Sequence, residues 1–126
     1  MRDVSIHPDA GALAETVAER FLSRVAAAQA EDRVPHVALT GGTVAHLVHQ
    51  KIAASAGEPK VDWTRVVFWF GDERFVPADS PERNELQARS DFLDAVGATQ
   101  VHPIPSSDAA TMPTRPLFRT AVCVAT

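Results

Sequence analysis

The sequence has little of what several classes of protein require. A single cysteine, Cys123, leaves no partner for an intrachain disulfide, which is typical of a reducing compartment. Its 12 basic residues are outnumbered by 16 acidic ones, which gives a net charge of −4. The basic residues form no cluster, so we expect no nucleic-acid partner. No apolar run approaches the roughly 20 residues of a membrane span, and the N-terminal stretch has no signal-peptide core. We therefore expect a cytoplasmic protein with no membrane partner.

What the sequence does contain is sufficient for one folded domain. Its 126 residues are 45% hydrophobic and 22% charged, as in ordinary globular proteins. A chain of this size buries roughly two thirds of the surface that its unfolded form exposes. A single hydrophobic core is therefore expected.

Strand and helix patterns alternate along the chain. Short apolar runs bounded by turn residues predict strands at 4–7, 36–40 and 64–70, with 101–105 either a further strand or the start of a loop. Apolar residues at helical spacing predict one helix after a Pro8–Asp9 cap, another at about 43–55, and a third opened by Ser80–Pro81 and ended by Gly97. This alternation predicts an α/β fold with a parallel sheet flanked by helices.

The apolar run at 66–70 is continuous, as is typical of a parallel strand covered by helices on both faces. Beyond Pro105 neither helical nor clear strand periodicity remains. A domain made of these elements has few strands and at least one uncovered edge, so we expect it to be incomplete.

The first candidate site is the segment LTGGTVAHL, which begins at Leu39, where a predicted strand meets a helix. In open parallel sheets, ligands bind beyond the carboxyl ends of the strands. Gly41 and Gly42 allow a sharp turn and a close backbone approach, while a helix starting at about Thr43 offers free N–H groups to an anion. A phosphate group fits such a turn, although many Gly-Gly turns bind nothing, and the GxxxxGK[ST] pattern of a Walker loop is absent.

The second candidate site is the stretch GDERFVPADSPERN. Asp72, Glu73 and Arg74 follow the predicted buried strand directly, so charge stands where the sheet meets solvent. Surface salt bridges or a cap on the next turn would explain an isolated DER tripeptide. Arg83 and Asn84 return after a short loop, however, and add a second guanidinium and an amide near the Gly-Gly turn. This combination favours a site for a charged ligand.

Together the two segments resemble the N-terminal half of the 6-phosphogluconolactonases, which belong to the glucosamine-6-phosphate isomerase superfamily. The resemblance rests on VALTGGTVAHL and GDERFVPADSPERNELQAR and covers roughly residues 8–107. GDERxVP followed by RN is its specific part. The resemblance implies a Rossmann-like fold and hydrolysis of 6-phosphoglucono-δ-lactone to 6-phosphogluconate in the pentose phosphate pathway, with no cofactor and no metal.

The resemblance also assigns the site residues. Arg74 would offset the charge of a phosphate or of a developing oxyanion, while Asp72 would orient Arg74 or the substrate hydroxyls. These two match the acidic and basic catalytic positions of the family. Val44-Ala45 replaces a common Thr-Pro and leaves the glycines intact. The positions that bind phosphate and substrate match Gly41, Gly42, Thr43, Arg83 and Asn84.

One family element is missing from the sequence. In the family, a GxDGHxAS segment supplies the histidine thought to act as general base, and no such segment occurs here. His46 and His49 lie three residues apart on a predicted helix, but without a third ligand nearby they favour a solvated or half-buried helix face over a metal pair. His102 is interpreted as structural.

We therefore predict a lactonase-like domain at 1–107, representing the N-terminal part of the family domain, and a divergent tail at 108–126. The expected partner is a phosphorylated sugar lactone. Two alternatives stay open. One is a non-catalytic fragment that binds sugar phosphates. The other is a sugar-phosphate isomerase of the same superfamily, which GDERFVP followed by RN disfavours.

Overall fold

The computed structural model describes residues 3–55 and 57–109, and a parallel three-stranded sheet lies at its centre. The strands, in spatial order, are β1 (His36–Leu39), β2 (Val67–Phe70) and β3 (Gln100–Val101). The first two helices are α1 (Ala10–Ala30) and α2 (Thr43–Ala54). The third helical segment runs as α3 (Asn84–Ala88), a π-helical turn (Arg89–Leu93) and α4 (Asp94–Val96). The predicted α/β fold with a parallel sheet is confirmed.

Helix α1 begins where the sequence predicts. Asp9 has extended backbone angles, and its side-chain Oδ1 accepts a hydrogen bond from the Ala12 N–H at 2.8 Å, which satisfies one of the free donors of the first turn. The helix buries a face that includes Ala14, Leu22 and Val25. Small residues on this face let α1 pack closely against α2.

The hydrophobic core lies between the helices and one face of the sheet. Phe68 and Phe70 are two residues apart and therefore point to the same side of β2, and Leu39 is the register partner of Phe70. These three join Ile52 of α2 and Phe92 of the π-helical turn in one buried cluster. Phe68 and Phe92 meet edge to face with their ring centroids 5.7 Å apart, a favourable aromatic geometry.

The opposite face of β2 carries a row of aromatic rings. Trp69 is half-buried and lies between His36 and His102, with ring centroids 6.0 and 4.3 Å away and nearly parallel ring planes. The Trp69 Nε1–H donates a hydrogen bond to His36 Nδ1 at 3.0 Å. His102 thus packs against the sheet, in line with its structural interpretation.

Three predicted boundaries differ from the structure. Residues 4–7 form no strand, since Val4 and Ile6 are 80% and 89% exposed and no strand within 3–55 and 57–109 pairs with them. Strand β2 starts at Val67, since Trp63–Arg65 forms a 3₁₀ turn capped by the Asp62 side chain. The third helix starts at Asn84 and not at Pro81, for a reason given below with the site.

Two expectations lie wholly or mostly outside the described residues. They are the position of Cys123 and the divergent tail, of which only residues 108 and 109 are described. Among the described helices, none has the length and apolar character needed to cross a membrane.

The core packing leads to a stability prediction. Phe92 is fully buried, so Phe92→Ala leaves a cavity and should lower the free energy of unfolding by about 3–5 kcal/mol. Phe75 is 71% exposed, and Phe75→Ala should change that free energy by less than about 0.5 kcal/mol. Urea denaturation of both variants checks this. Equal stabilities would mean that the core does not close around Phe92.

Candidate functional site

A cleft of about 150 Å³ lies at the carboxyl ends of β1 and β2. This is the edge of a parallel sheet at which ligands bind. The cleft is open to solvent and brings together six residues from the two sequence motifs. They are Thr40, Gly41, Gly42, Asp72, Arg74 and Asn84.

The two glycines have different structural roles. A Cβ atom on Gly41 would lie only 2.5 Å from Cγ of Asn84 and closer still to its Oδ1, so only glycine fits beneath that side chain. Gly42 has a φ of +101°, a conformation that favours glycine, and nothing lies within 4 Å of its Cβ position. Gly41 therefore leaves room for the Asn84 side chain, while Gly42 forms the turn that precedes α2.

Helix α2 begins directly after this turn at Thr43. No side chain of the described residues caps its first turn, so the N–H groups there can face a ligand. Aligned peptide dipoles add partial positive charge at this end of the helix. Thr43 lies at the helix start, beside the residues that line the cleft. The turn and the helix end together favour an anion.

Asn84 links the ends of β1 and β2. Its side-chain Nδ2 lies 3.2 Å from the Asp72 carbonyl oxygen and 3.4 Å from the Asp72 carboxylate, while its other side packs on Gly41. The backbone continues the sheet here, since the Gly71 N–H donates to Leu39 O at 2.9 Å. Asn84 thus holds the two candidate motifs together.

Glu73 points away from the cleft and organises the loop beneath it. Its side chain is 1% exposed, and its carboxylate accepts backbone N–H bonds from Arg74, Asn84 and Glu85 at 2.8, 2.7 and 2.9 Å. Two of these donors open α3, so Glu73 caps that helix from eleven positions upstream. The helix therefore starts at Asn84. For Glu73, the alternative interpretation of a turn cap is the one that the structure supports.

Arg83 lies apart from the cleft, in contrast to the expectation that it binds substrate. Its side chain is 1% exposed, with Nε 3.7 Å from Glu73 Oε2 and Nη2 donating to Glu85 and to the Ile104 carbonyl oxygen. Nη1 donates to the Arg74 carbonyl oxygen at 3.3 Å. A guanidinium buried in this way needs its carboxylate partners close by, and it stabilises the loop that presents Arg74.

Arg74 and Asp72 remain as the exposed charged groups of the cleft. The Arg74 backbone is fixed at both ends, by Glu73 through its N–H and by Arg83 through its carbonyl oxygen. Arg74 lines the cleft from this fixed backbone. A cation and a carboxylate beside an anion-binding turn suit a phosphorylated ligand that also carries hydroxyl groups.

A second cluster of polar residues joins α2 to the π-helical turn. Asp91, whose side chain is 7% exposed, lies 2.8 Å from His46 Nδ1 and 3.4 Å from His49 Nδ1. Burial lowers the pKa of His49, and the hydrogen bond and charge of Asp91 offset this only in part. His46 lies on a half-buried helix face, as expected, whereas His49 is buried, contrary to the expectation of a solvated or half-buried face. Asp91 has no signal in the sequence. Within residues 3–55 and 57–109, no cluster of three or more potential ligands could hold a metal.

Comparison with known sequences adds independent information. A family model described as glucosamine-6-phosphate isomerases/6-phosphogluconolactonase matches residues 8–120. A 6-phosphogluconolactonase of Streptomyces coelicolor is 37% identical over 105 residues, which span 82% of this chain and 40% of that protein. One of Mycobacterium leprae is 36% identical over 107 residues, which span 83% and 42%. The chain thus spans about 40% of the length of these curated relatives, and the domain boundary at 107 stays a prediction.

Solved structures show the same partial coverage. A 6-phosphogluconolactonase from Thermotoga maritima superimposes with a TM-score of 0.66 at 27% identity, over 75% of this chain and 42% of that one. One from Trypanosoma brucei gives a TM-score of 0.71 at 23% identity, over 91% and 43%. The second likeness concerns the fold alone. In both cases the structural match spans less than half of the neighbouring chain.

The Glu73–Arg83 pair leads to a second stability prediction. Glu73→Ala would leave the buried Arg83 without its carboxylate and α3 without its cap, so the free energy of unfolding should fall by about 3–5 kcal/mol. Glu82→Ala is the control, because Glu82 is exposed and nearby in the same loop. Chemical denaturation followed by circular dichroism compares the two. If both variants were as stable as the parent, Glu73 would not be the group that holds this loop.

Proposed function

The chain belongs to the glucosamine-6-phosphate isomerase/6-phosphogluconolactonase family, and we propose that its cleft binds the phosphorylated sugar lactone of a 6-phosphogluconolactonase. One observation carries this proposal. The Gly41–Gly42 turn, Asp72 and Arg74, which are separated by about thirty positions in the sequence, line a single cleft. The proposed setting is the cytoplasm.

The phosphate group is assigned to the glycine turn. Free N–H groups at the start of α2 supply hydrogen-bond donors and partial positive charge, while the open Gly42 backbone lets an anion approach closely. Arg74 adds a full positive charge with a planar pair of donors. Asp72 is the acceptor for sugar hydroxyl groups and is held in place by Asn84.

The reaction proposed for the complete site is hydrolysis of a cyclic ester. Water attacks the lactone carbonyl carbon, negative charge develops on the carbonyl oxygen, and the ring C–O bond then breaks to give the open-chain acid. The developing oxyanion is the alternative partner for Arg74, in place of the phosphate. A general base must remove a proton from the water, and the ring oxygen takes up a proton as it leaves. The sequence contains no GxDGHxAS segment to supply that base. We therefore assign binding to this chain and complete turnover to a site with further groups.

The size of the cleft supports assigning binding, and not complete turnover, to this chain. Sites that enclose a small molecule usually measure about 300–1,000 Å³. The cleft here is about 150 Å³ and open, enough for a phosphate and part of a sugar. The chain spans about 40% of its curated relatives, and we propose that the described residues supply the phosphate-binding part of the site.

The other candidate functions are weaker. The family description also includes sugar-phosphate isomerases, but the relatives and structural neighbours reported above carry the name 6-phosphogluconolactonase. A fragment that only binds sugar phosphates differs from the proposed function in turnover and not in the binding site. Measurements of binding and of turnover are therefore needed separately.

Binding is tested with 6-phosphogluconate, the stable product of the proposed reaction. Arg74→Ala should weaken binding by about 1.5–3 kcal/mol, because a hydrogen bond to a charged group is lost. Arg74→Lys should restore only part of this, since the planar pair of donors is missing. Calorimetric titration measures the affinities, with Arg24→Ala on the exposed face of α1 as the control. Unchanged affinity in Arg74→Ala would refute the assignment.

Turnover is tested on the same chain. We expect no hydrolysis of fresh 6-phosphoglucono-δ-lactone above its spontaneous rate, because a positioned general base contributes about 10²- to 10⁴-fold. The acid released is followed in weakly buffered solution, with a full-length relative as positive control. Clear acceleration by the chain would show that a group in it serves as the base.

A further inference from the structure

The helical segment from Asn84 to Val96 is tied to the first turn of α2 by two side chains. Gln87 Nε2 donates a hydrogen bond to the Gly42 carbonyl oxygen at 3.0 Å. Four residues later, Asp91 Oδ1 lies 2.8 Å from His46 Nδ1. The His46 backbone N–H in turn donates to the same Gly42 carbonyl oxygen at 3.0 Å. Both ties therefore converge on the peptide that opens the anion-binding turn.

Asp91 has the features of a group that must be paired. It lies in the π-helical turn, a distortion often found at functional positions, and its carboxylate is nearly inaccessible to solvent. The titratable groups in contact with it are His46 and His49 of α2. Burial lowers the pKa of His49 and so favours its neutral form. The contact of Asp91 with His46 is the shorter of the two, at 2.8 Å against 3.4 Å, and His46 is half-exposed.

We propose that Asp91 is a positioning residue of the anion site, which holds the first turn of α2 in place through His46. The inference rests on the proposed function, because it concerns how well the Gly42 turn receives an anion. Asp91 touches no residue of the cleft itself. A carboxylate that accepts from Nδ1 fixes the orientation of the imidazole, and the imidazole fixes its own backbone N–H on Gly42.

The binding test uses 6-phosphogluconate and inorganic sulfate, both at pH 7. Asp91→Asn and His46→Gln should each weaken binding by about threefold to tenfold, and the double variant should be no weaker than either alone. Asp94→Asn is the matched control, as Asp94 lies three residues further along the same helical segment and is 72% exposed. Its affinity should equal that of the parent.

A second measurement needs no ligand and uses the full chain. Hydrogen exchange of the His46 amide should be about threefold to tenfold faster in Asp91→Asn than in the parent, while Asp94→Asn leaves it unchanged. Should Asp91→Asn fail to fold, His46→Gln serves in its place, because His46 is half-exposed and its side chain is easier to replace.

The two proposals fail in different ways. If the parent binds neither 6-phosphogluconate nor sulfate, the proposed function fails, and the exchange rates alone decide the role of Asp91. If the parent binds and the two variants bind equally well, with unchanged exchange at His46, the positioning role is wrong. A loss that simply adds in the double variant would assign Asp91 to general stability only.

Discussion

The buried carboxylate of Glu73 is the group on which the geometry of the cleft depends. It gathers three backbone N–H groups and the Arg83 guanidinium into one solvent-excluded cluster. Burying two charges is favourable only when they lie close together and are well hydrogen-bonded, so this cluster admits few arrangements of the loop. The exception is Arg83 Nε, which lies 3.7 Å from Glu73 and has no hydrogen-bond partner among the described residues. The start of α3, and with it Asn84, is set by that requirement. Asn84 then bridges Asp72 and Gly41, and the two motifs face each other across the cleft.

Most of the fold follows from local patterns. Asp9 caps α1, the β1 and β2 runs pair in parallel, and Gly97 ends α4 in the left-handed conformation, each as the residue types predict. Residues 4–7 show the limit of such patterns, because strand propensity has no effect without a neighbouring strand. The start of α3 shows another limit. Its cap is a side chain eleven positions away, which no local signal reveals.

The sequence motifs predicted most of the residues that meet at the cleft, but not which charged residues line it and which are buried. The glycine turn, Asp72, Arg74 and Asn84 meet as the motifs indicate. Arg83 does not, since two arginines in one loop look alike in sequence and only packing shows which one is buried. Asp91 was not predictable either. It pairs with His46, which is 45 positions away in the sequence. It also lies within a π-helical turn, which the spacing of apolar residues does not indicate.

The placement of the two tryptophans gives the molecule two separate optical probes. Trp63 is buried among the rings of Phe21, Phe68 and Phe92, whereas Trp69 lies between His36 and His102 on the other side of the sheet. Fluorescence from the first depends on whether the core is closed. Fluorescence from the second depends on whether the two imidazoles stay stacked against the indole ring. A single emission spectrum therefore contains one component that follows the core and another that follows the packing at the sheet surface.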